Sequence, residues 1–394
     1  MYDLSRISTP FYLYDLNLLE KTVFNASMAA GDHGILLHYA IKANHETKLL
    51  SCMQAHGLGI DCVSGNEVRK ALAEGFNGGQ IVFAGVGKTD EDIRMAIGND
   101  ILALNAESLE EVYVIAALAQ QLGRVANVAI RVNPGVDART HKYITTGLDE
   151  NKFGIALRHL KKALEFCHGH ANIRFAGLHF HIGSQITTHA PYIRLCETVN
   201  QIWREFELQR YGAVMLNLGG GLGIDYDAPF DGHPDFNTFF STLSGHLDVP
   251  RNVAVHAELG RSLVGQCGSL ITRVLFVKEG SSKMFVVTDA GMTELMRPAL
   301  YQARHHIDNL SSRKGLRLYD VVGPVCESSD VFARNALLPA TSRGDLLAIR
   351  SCGAYAQSMS LRYNLRDEAK GVFLRDGSLL MNGYDPEQIP ATLV

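Results

Sequence analysis

The sequence predicts an α/β fold class: a (β/α)8 TIM-like barrel joined to an all-β second domain of barrel or sandwich type. Three observations predict it. Eight short apolar runs rich in β-branched residues recur between about residues 35 and 258, most of them followed by a longer helix-compatible stretch. Polar residues of catalytic type stand at the C-terminal ends of those runs. After about residue 275 the rhythm changes to strand-like segments separated by Gly-Asp, Asp-Gly and Asn-Gly turn signals.

Taken in order, PFYLYD near the N-terminus reads as a strand that can pair into the β domain, and LNLLEKTVFNASMAA after it as a helix. The barrel strands then read ILLHYAI, GLGIDCV, QIVFAG, DILALN, NVAIRVN, IRFAGLHFHI, VMLNLG and NVAVHAE. Near-continuous apolar runs, without clean alternation, suit parallel strands covered on both faces. A doubly wound open sheet gives a similar rhythm. The polar residues favour the barrel, because Lys42, Asp61, Arg131, His181, Gly219 to Gly221 and Glu258 fall at strand ends that a barrel gathers at one mouth. Later strands read KMFVVTDAG, RLYDVVG, GDLLAIRSCGAY and GVFLRDGSLLMN. The expected division is residues 30–275 for the barrel and residues 1–29 with 276–394 for the β domain.

A chain of 394 residues is longer than one hydrophobic core usually serves, which agrees with two domains. With 46% hydrophobic and 20% charged residues it reads as a folded globular protein. A net charge of −4 supplies no electropositive field for nucleic acid or an anionic membrane, so a small-molecule partner is expected. No apolar run approaches the ~18 residues of a membrane span, and the N-terminus does not read as a signal peptide. Seven scattered cysteines without a CxxC spacing suggest neither zinc nor a dithiol pair and fit a reducing cytoplasm.

Lys42 interrupts an apolar strand end in YAIKAN. One reading is a snorkelling surface lysine. The other is a desolvated amine of lowered pKa, nucleophilic toward a carbonyl, for which pyridoxal phosphate is the obvious partner. Gly219, Gly220, Gly221 and Gly223 in NLGGGLGID follow the seventh run, where bare backbone amides can converge on a phosphate, as barrel loops after strands seven and eight often do. The spacing is not that of a dinucleotide fingerprint. Glu258 and Arg261 follow the eighth run. They read either as a surface ion pair or as a carboxylate that keeps a cofactor pyridine protonated. His179 and His181 lie two apart on a strand and point to one face, as packed core histidines, a ring stacked on a planar cofactor, or part of a metal site for which no completing cluster is visible. Ser184, three residues on, can donate to a phosphate.

Together, YAIKAN, HFHIGSQ, NLGGGLG, ELGR, DAGM, RPALY, GPVCESSD and GAYAQSMS resemble, in order, the motifs of the fold-type III pyridoxal-phosphate decarboxylases, with their alanine racemase-like barrel. The resemblance runs from TPFYLYD to about Asn364 and is closest to the branch acting on diaminopimelate. It implies pyridoxal 5'-phosphate bonded to Lys42, His181 stacked on the ring and Glu258 at the ring nitrogen. Ser184 with Gly219, Gly220 and Gly221 would hold the phosphate, and Tyr355 would add a phosphate or substrate contact. It also implies a homodimer with shared active sites, in which Cys326 and Glu327 serve the neighbouring subunit and Cys326 donates a proton. Outside that context Cys326 reads as a small core residue. Asp61, Glu67 and Arg131 match positions that orient the lysine or the histidine. Leu259 stands where the family usually has proline, for which a loop adjustment is expected.

Members of this family differ at the far end of the substrate. Ornithine presents an ammonium there, whereas diaminopimelate presents a second ammonium-plus-carboxylate centre. Arg261 and Arg297 supply cations suited to a carboxylate, Tyr301 and Tyr355 hydroxyls, and Glu327 a partner for an ammonium. Both signs favour decarboxylation of meso-2,6-diaminopimelate to L-lysine and carbon dioxide, the last step of lysine biosynthesis. Ornithine-type relatives resemble GPTCD at the cysteine motif, where this chain has Glu327. Ornithine, arginine and carboxynorspermidine stay open as substrates, and a metal-dependent barrel hydrolase or a non-catalytic regulator as functions. The joint presence of Lys42, Glu258 and Cys326 argues against a regulator.

Overall fold

The computed structural model describes residues 4–136, 152–232 and 234–381. They group into two compact units, Val23–Gly223 with His233–Leu263, and Met1–Thr22 with Ile224–Gly232 and Val264–Val394. In chain order, β1 (Phe11–Asp15) runs into α1 (Leu16–Asp32), followed by β2 (Ile35–Ala40), α2 (Thr47–Ala55), β3 (Gly59–Cys62), α3 (Gly65–Ala73), β4 (Ile81–Phe83) and α4 (Asp90–Gly98). Next come β5 (Ala103–Ala106), α5 (Leu109–Gln121), β6 (Ala126–Arg131), α6 (Leu157–Gly169), β7 (Ile173–His179), α7 (Ala190–Glu205), β8 (Met215–Gly220), α8 (Phe236–His246) and β9 (Ala254–Leu259).

The first unit is the barrel. Each of the eight apolar runs is a strand, and β2 to β9 close on themselves with every neighbour parallel. Helices start soon after the strands because polar caps arrest the chain there. Ser64, Thr89, Ser108 and Asp235 each accept a hydrogen bond from the backbone N–H three residues on, opening α3, α4, α5 and α8.

The strand registers fix which inward side chains share a level. Asp61 on β3 pairs through Val82 with Ala103, and two residues further along β5 stands Asn105. The same step of two leads from Asn105 to His179 on β7, from His179 to Glu258 on β9, and from Glu258 back to Asp61. The path closes after four steps of two, a stagger of eight residues for eight strands, and sets four side chains from alternate strands in one layer. Such layers are ordinarily Val, Ile and Leu. Here the layer is Asp61, Asn105, His179 and Glu258, none more than 4% exposed. Toward the N-terminal ends of the strands the filling turns apolar and small, with Val82, Ala103, Ala129, Ala176 and Met215 in one cluster.

The second unit is a mixed sheet of nine strands among the described residues. Its strands are β1, β10 (Gly268–Glu279), β11 (Met284–Thr288), β12 (Ile307–Asn309), β13 (Leu316–Val322), β14 (Val331–Pro339), β15 (Leu346–Ile349), β16 (Lys370–Arg375) and β17 (Ser378–Met381). They run in the order β14-β13-β11-β10-β1-β16-β17, and β15 pairs with β10 and β12. PFYLYD pairs antiparallel to β10 and parallel to β16, in the middle of the sheet. The expected division at residue 275 lies inside β10, and Ile224–Gly232 groups with the sheet. β14 escapes a period-two reading because Arg334 and Asn335, the latter at φ 52°, sit where its register to β13 shifts. The Asp-Gly signal is the β16–β17 turn, with Asp376 at φ 47° and Gly377 at φ 82°, the positive pair that a tight hairpin of this twist requires.

Phe11 anchors this sheet's core with Ile271, Leu346, Ala348 and Val372, all buried. Phe11→Ala is expected to destabilise the sheet unit by about 3–5 kcal/mol. Denaturant unfolding measures it, and a loss under about 1 kcal/mol would contradict this packing.

Candidate active site

At the barrel mouth β2 ends at Ala40, and the single helical turn Ile41–Ala43 carries Lys42. Its Nζ donates to Asp61 Oδ2 at 3.2 Å. Burial, with repulsion from Glu258 and against the attraction of Lys42, raises the Asp61 carboxyl to about 7. Glu67 stands in the first turn of α3: its N–H donates to the N-cap Ser64 Oγ at 3.2 Å, while its Oε2 accepts from Val63 N–H, one residue before the cap, at 2.6 Å. That carboxylate fixes the loop after β3. Burial raises its pKa, with Val63 and Lys42 opposing.

Glu258 lies within β9. Asn217 Nδ2 donates to its Oε1 at 2.7 Å, and His179 Nε2 stands 3.3 Å from the same oxygen. Burial alone would raise this carboxyl, but His179 and then Lys42 outweigh it and hold the pKa well below the carboxylate range. Glu258 is therefore an ionised carboxylate in a dry setting. His181 is driven the other way: burial, with Lys42 and Arg131, keeps its pKa well below 6.5, so the ring is neutral. Its Nδ1 faces the Gly220 N–H at 3.3 Å, which assigns the ring proton to Nε2.

The glycine run is built for close approach. A Cβ on Gly220 would stand 1.5 Å from the Glu258 carbonyl oxygen, so no other residue lets β8 pass β9 here. Beside it, Arg261 Nη2 donates to Ser184 Oγ at 3.0 Å. Bare backbone, a hydroxyl and a guanidinium together make a cradle suited to a phosphate. Leu259 closes β9 as a buried ladder residue opposite Tyr39, so its place is taken up in the strand and not in a loop.

Arg131 is held by Glu107 at 2.7 Å and stacks 4.6 Å from the Phe153 ring centroid. Glu107 also accepts from the N–H of Gly85 and of Gly154, which makes it the hub of this side of the mouth. Glu107, Asn105 and Asn217 are functional side chains not singled out from the sequence. Their signal was a polar letter inside an apolar run, in LALNAE and VMLNLG.

The sheet unit assembles two further groups. Arg297 opens a short helix, Arg297–Tyr301, that also carries Tyr301. It is buried, donates to His305 Nε2 at 2.7 Å and lies 4.4 Å over the Tyr226 ring. In the turn before β14, Cys326 N–H donates to Asn364 Oδ1 at 3.2 Å, and Glu327 Oε1 accepts from Tyr363 Oη at 2.9 Å. Cys326 is exposed, unlike the buried Cys62, Cys167, Cys196, Cys267 and Cys352, so the core-cysteine reading fails. Tyr355 sits in a turn at φ 57°. Among the described residues no group of three or more His, Cys, Asp or Glu is arranged to hold a metal.

Residues 19–265 match the family described as "Pyridoxal-dependent decarboxylase, pyridoxal binding domain". The chain is 47% identical over 367 residues to a diaminopimelate decarboxylase of Bacteroides thetaiotaomicron, covering 93% of this chain and 95% of that one. A diaminopimelate decarboxylase of Aquifex aeolicus is 38% identical, with 94% and 88% covered. The crystal structure of diaminopimelate decarboxylase from Helicobacter pylori complexed with L-lysine superposes with a TM-score of 0.90 at 37% identity, covering 95% of this chain and 94% of that chain.

The raised Asp61 carboxyl means that the folded protein holds that proton more tightly than the unfolded chain. The stability this confers is complete below the unfolded pKa and is lost as pH rises toward about 7. Asparagine suffers no such loss. The thermal midpoint of Asp61→Asn relative to the parent, both free of cofactor, should rise between pH 5 and pH 8; a flat difference would contradict a raised pKa.

Proposed function

The chain belongs to the pyridoxal-dependent decarboxylases, in their diaminopimelate decarboxylase branch, and from that premise we propose how its residues divide the work. The reaction removes one carboxylate from meso-2,6-diaminopimelate to give L-lysine and carbon dioxide, which makes the protein a carboxy-lyase of lysine biosynthesis. The observation that carries the chemistry is the ionised, buried Glu258 on the strand beside the one that leads to Lys42.

The site fits pyridoxal phosphate on its own terms. A buried carboxylate locked ionised suits a protonated pyridine nitrogen, and the Ser184 hydroxyl beside the Arg261 guanidinium suits a phosphate. Bound there, the cofactor supplies a protonated ring that takes up the electrons left when carbon dioxide departs. Lys42 Nζ is the amine that would hold it, and Asp61 Oδ2 keeps that amine oriented. Glu258 would keep the ring nitrogen of the bound group protonated, and the neutral His181 ring would lie against that group without adding charge. Gly219, Gly220, Gly221, Ser184 and Arg261 hold the phosphate; the Arg261–Ser184 hydrogen bond favours that role for Arg261 over a substrate contact. Glu67 and Arg131 brace the loops around the lysine and the histidine.

Arg297, Tyr301 and Tyr355 receive the distant carboxylate and Glu327 the distant ammonium. Cys326 Sγ delivers a proton to the α-carbon. The exposure of Cys326 and Glu327 in the single chain supports a homodimer in which both serve the neighbouring subunit's site. Among the described residues no helix is long and apolar enough to cross a membrane. The cytoplasm is the proposed location, supported by seven scattered cysteines that fit a reducing compartment.

Carbon dioxide release is expected from meso-diaminopimelate and not from ornithine, arginine or carboxynorspermidine offered in parallel. Release from one of the other three instead would overturn the substrate assignment. Lys42→Ala should abolish turnover together with the visible absorbance of the bound cofactor. Glu258→Gln should keep the cofactor but lower kcat by about 10²- to 10³-fold. Steady-state kinetics decides both, and normal turnover by Lys42→Ala would sink the assignment.

A further inference from the structure

Three members of the polar layer have stated partners or tasks: Asp61 orients Lys42, and His179 secures Glu258. Asn105 has none. Its side chain is wholly buried, and among the described residues neither Oδ1 nor Nδ2 has a hydrogen-bond partner. Its two neighbours in the layer are in part the same, with Asp61 Oδ1 and His179 Nδ1 buried and unpartnered. An unsatisfied buried amide costs stability, and leucine, branched at the same Cγ, would fill the position without that cost, as apolar residues do elsewhere in such barrels. A residue that breaks the local rule with no compensating contact in the fold points to a ligand.

The chemistry of the ligand narrows the contact. Resting on the cofactor assignment above, the ring nitrogen, the aldehyde carbon and the phosphate of pyridoxal phosphate already have partners in Glu258, Lys42 and the Ser184–Arg261 cradle. The polar group left over is the phenolic oxygen of the ring. Asn105 stands on β5, four strands from Glu258 on β9 in a barrel of eight, and so on the opposite wall. We propose that Asn105 is a further cofactor-binding residue, whose Nδ2 donates a hydrogen bond to the phenolic oxygen of pyridoxal phosphate. A carboxamide suits this oxygen because it donates without bringing a second charge into a layer that already holds two carboxyl groups.

The test pairs a change in the protein with a change in the ligand. Cofactor-free parent, Asn105→Leu and Asn105→Ala are titrated with pyridoxal phosphate and with its 3-deoxy analogue, and the thermal midpoint of each cofactor-free protein is recorded. Loss of the hydroxyl has intrinsic effects common to all three proteins, and these cancel in the comparison. The parent should prefer the hydroxylated cofactor, and both variants should lose about tenfold or more of that preference while binding the deoxy analogue as the parent does. Asn105→Leu should melt no lower than the parent. Variants that keep the full preference overturn the proposal. So do variants that bind both ligands equally weakly, or that both melt well below the parent, because Asn105 would then be a structural member. A parent that takes up neither ligand refutes the cofactor assignment itself, which is a separate result.

Discussion

A carboxylate kept ionised inside a closed barrel must find its stabilisation within side-chain reach, and Glu258 draws it from strands on one side of its own. Asn217 comes from β8 and His179 from β7, and neither arrangement works unless β8 passes close to β9. Gly220 permits that passage. The neutral state of His181 belongs to the same balance, since a third cation beside Lys42 and Arg131 would be repelled. Removing one partner of such a group leaves a buried charge uncompensated, which costs far more than the pair contributes. The site is thus one electrostatic unit.

That unit shares the barrel with an apolar region that carries the fold. Small side chains such as Ala103 and Ala129 fill the interior toward the N-terminal strand ends, so the polar layer can be chosen by chemistry while closure is secured beneath it. The same separation holds for Arg131. Its ion pair with Glu107 is buried and braces three segments at once, and its influence on His181 is through charge rather than contact.

The eight barrel strands were legible because parallel strands buried on both faces leave continuous apolar runs, and the catalytic types stood out because they end those runs. Lys42, Asp61, His181 and Glu258 could be picked from the sequence for that reason. Asn105, Glu107 and Asn217 could not, because an inward position is decided by the register of a closed barrel, a property of all eight strands together. The partners of Arg297 were hidden for a related reason: Tyr226 lies 71 positions earlier and meets it only through the grouping of Ile224–Gly232 with the sheet. β10 was missed because its buried first half reads like one more barrel strand, and β14 because its irregularity at Arg334 and Asn335 breaks the alternation.

The stagger of eight also bears on how this gene can vary. A codon gained or lost in a loop shifts nothing inside the barrel, but one gained or lost within β3, β5, β7 or β9 turns every later side chain of that strand to the opposite face. Asp61, Asn105, His179 or Glu258 would then point outward while the strand still paired. Length changes are accordingly absorbed better in the connections than inside these strands, where an extra residue must be taken up as a bulge, as Ala176 is opposite β6.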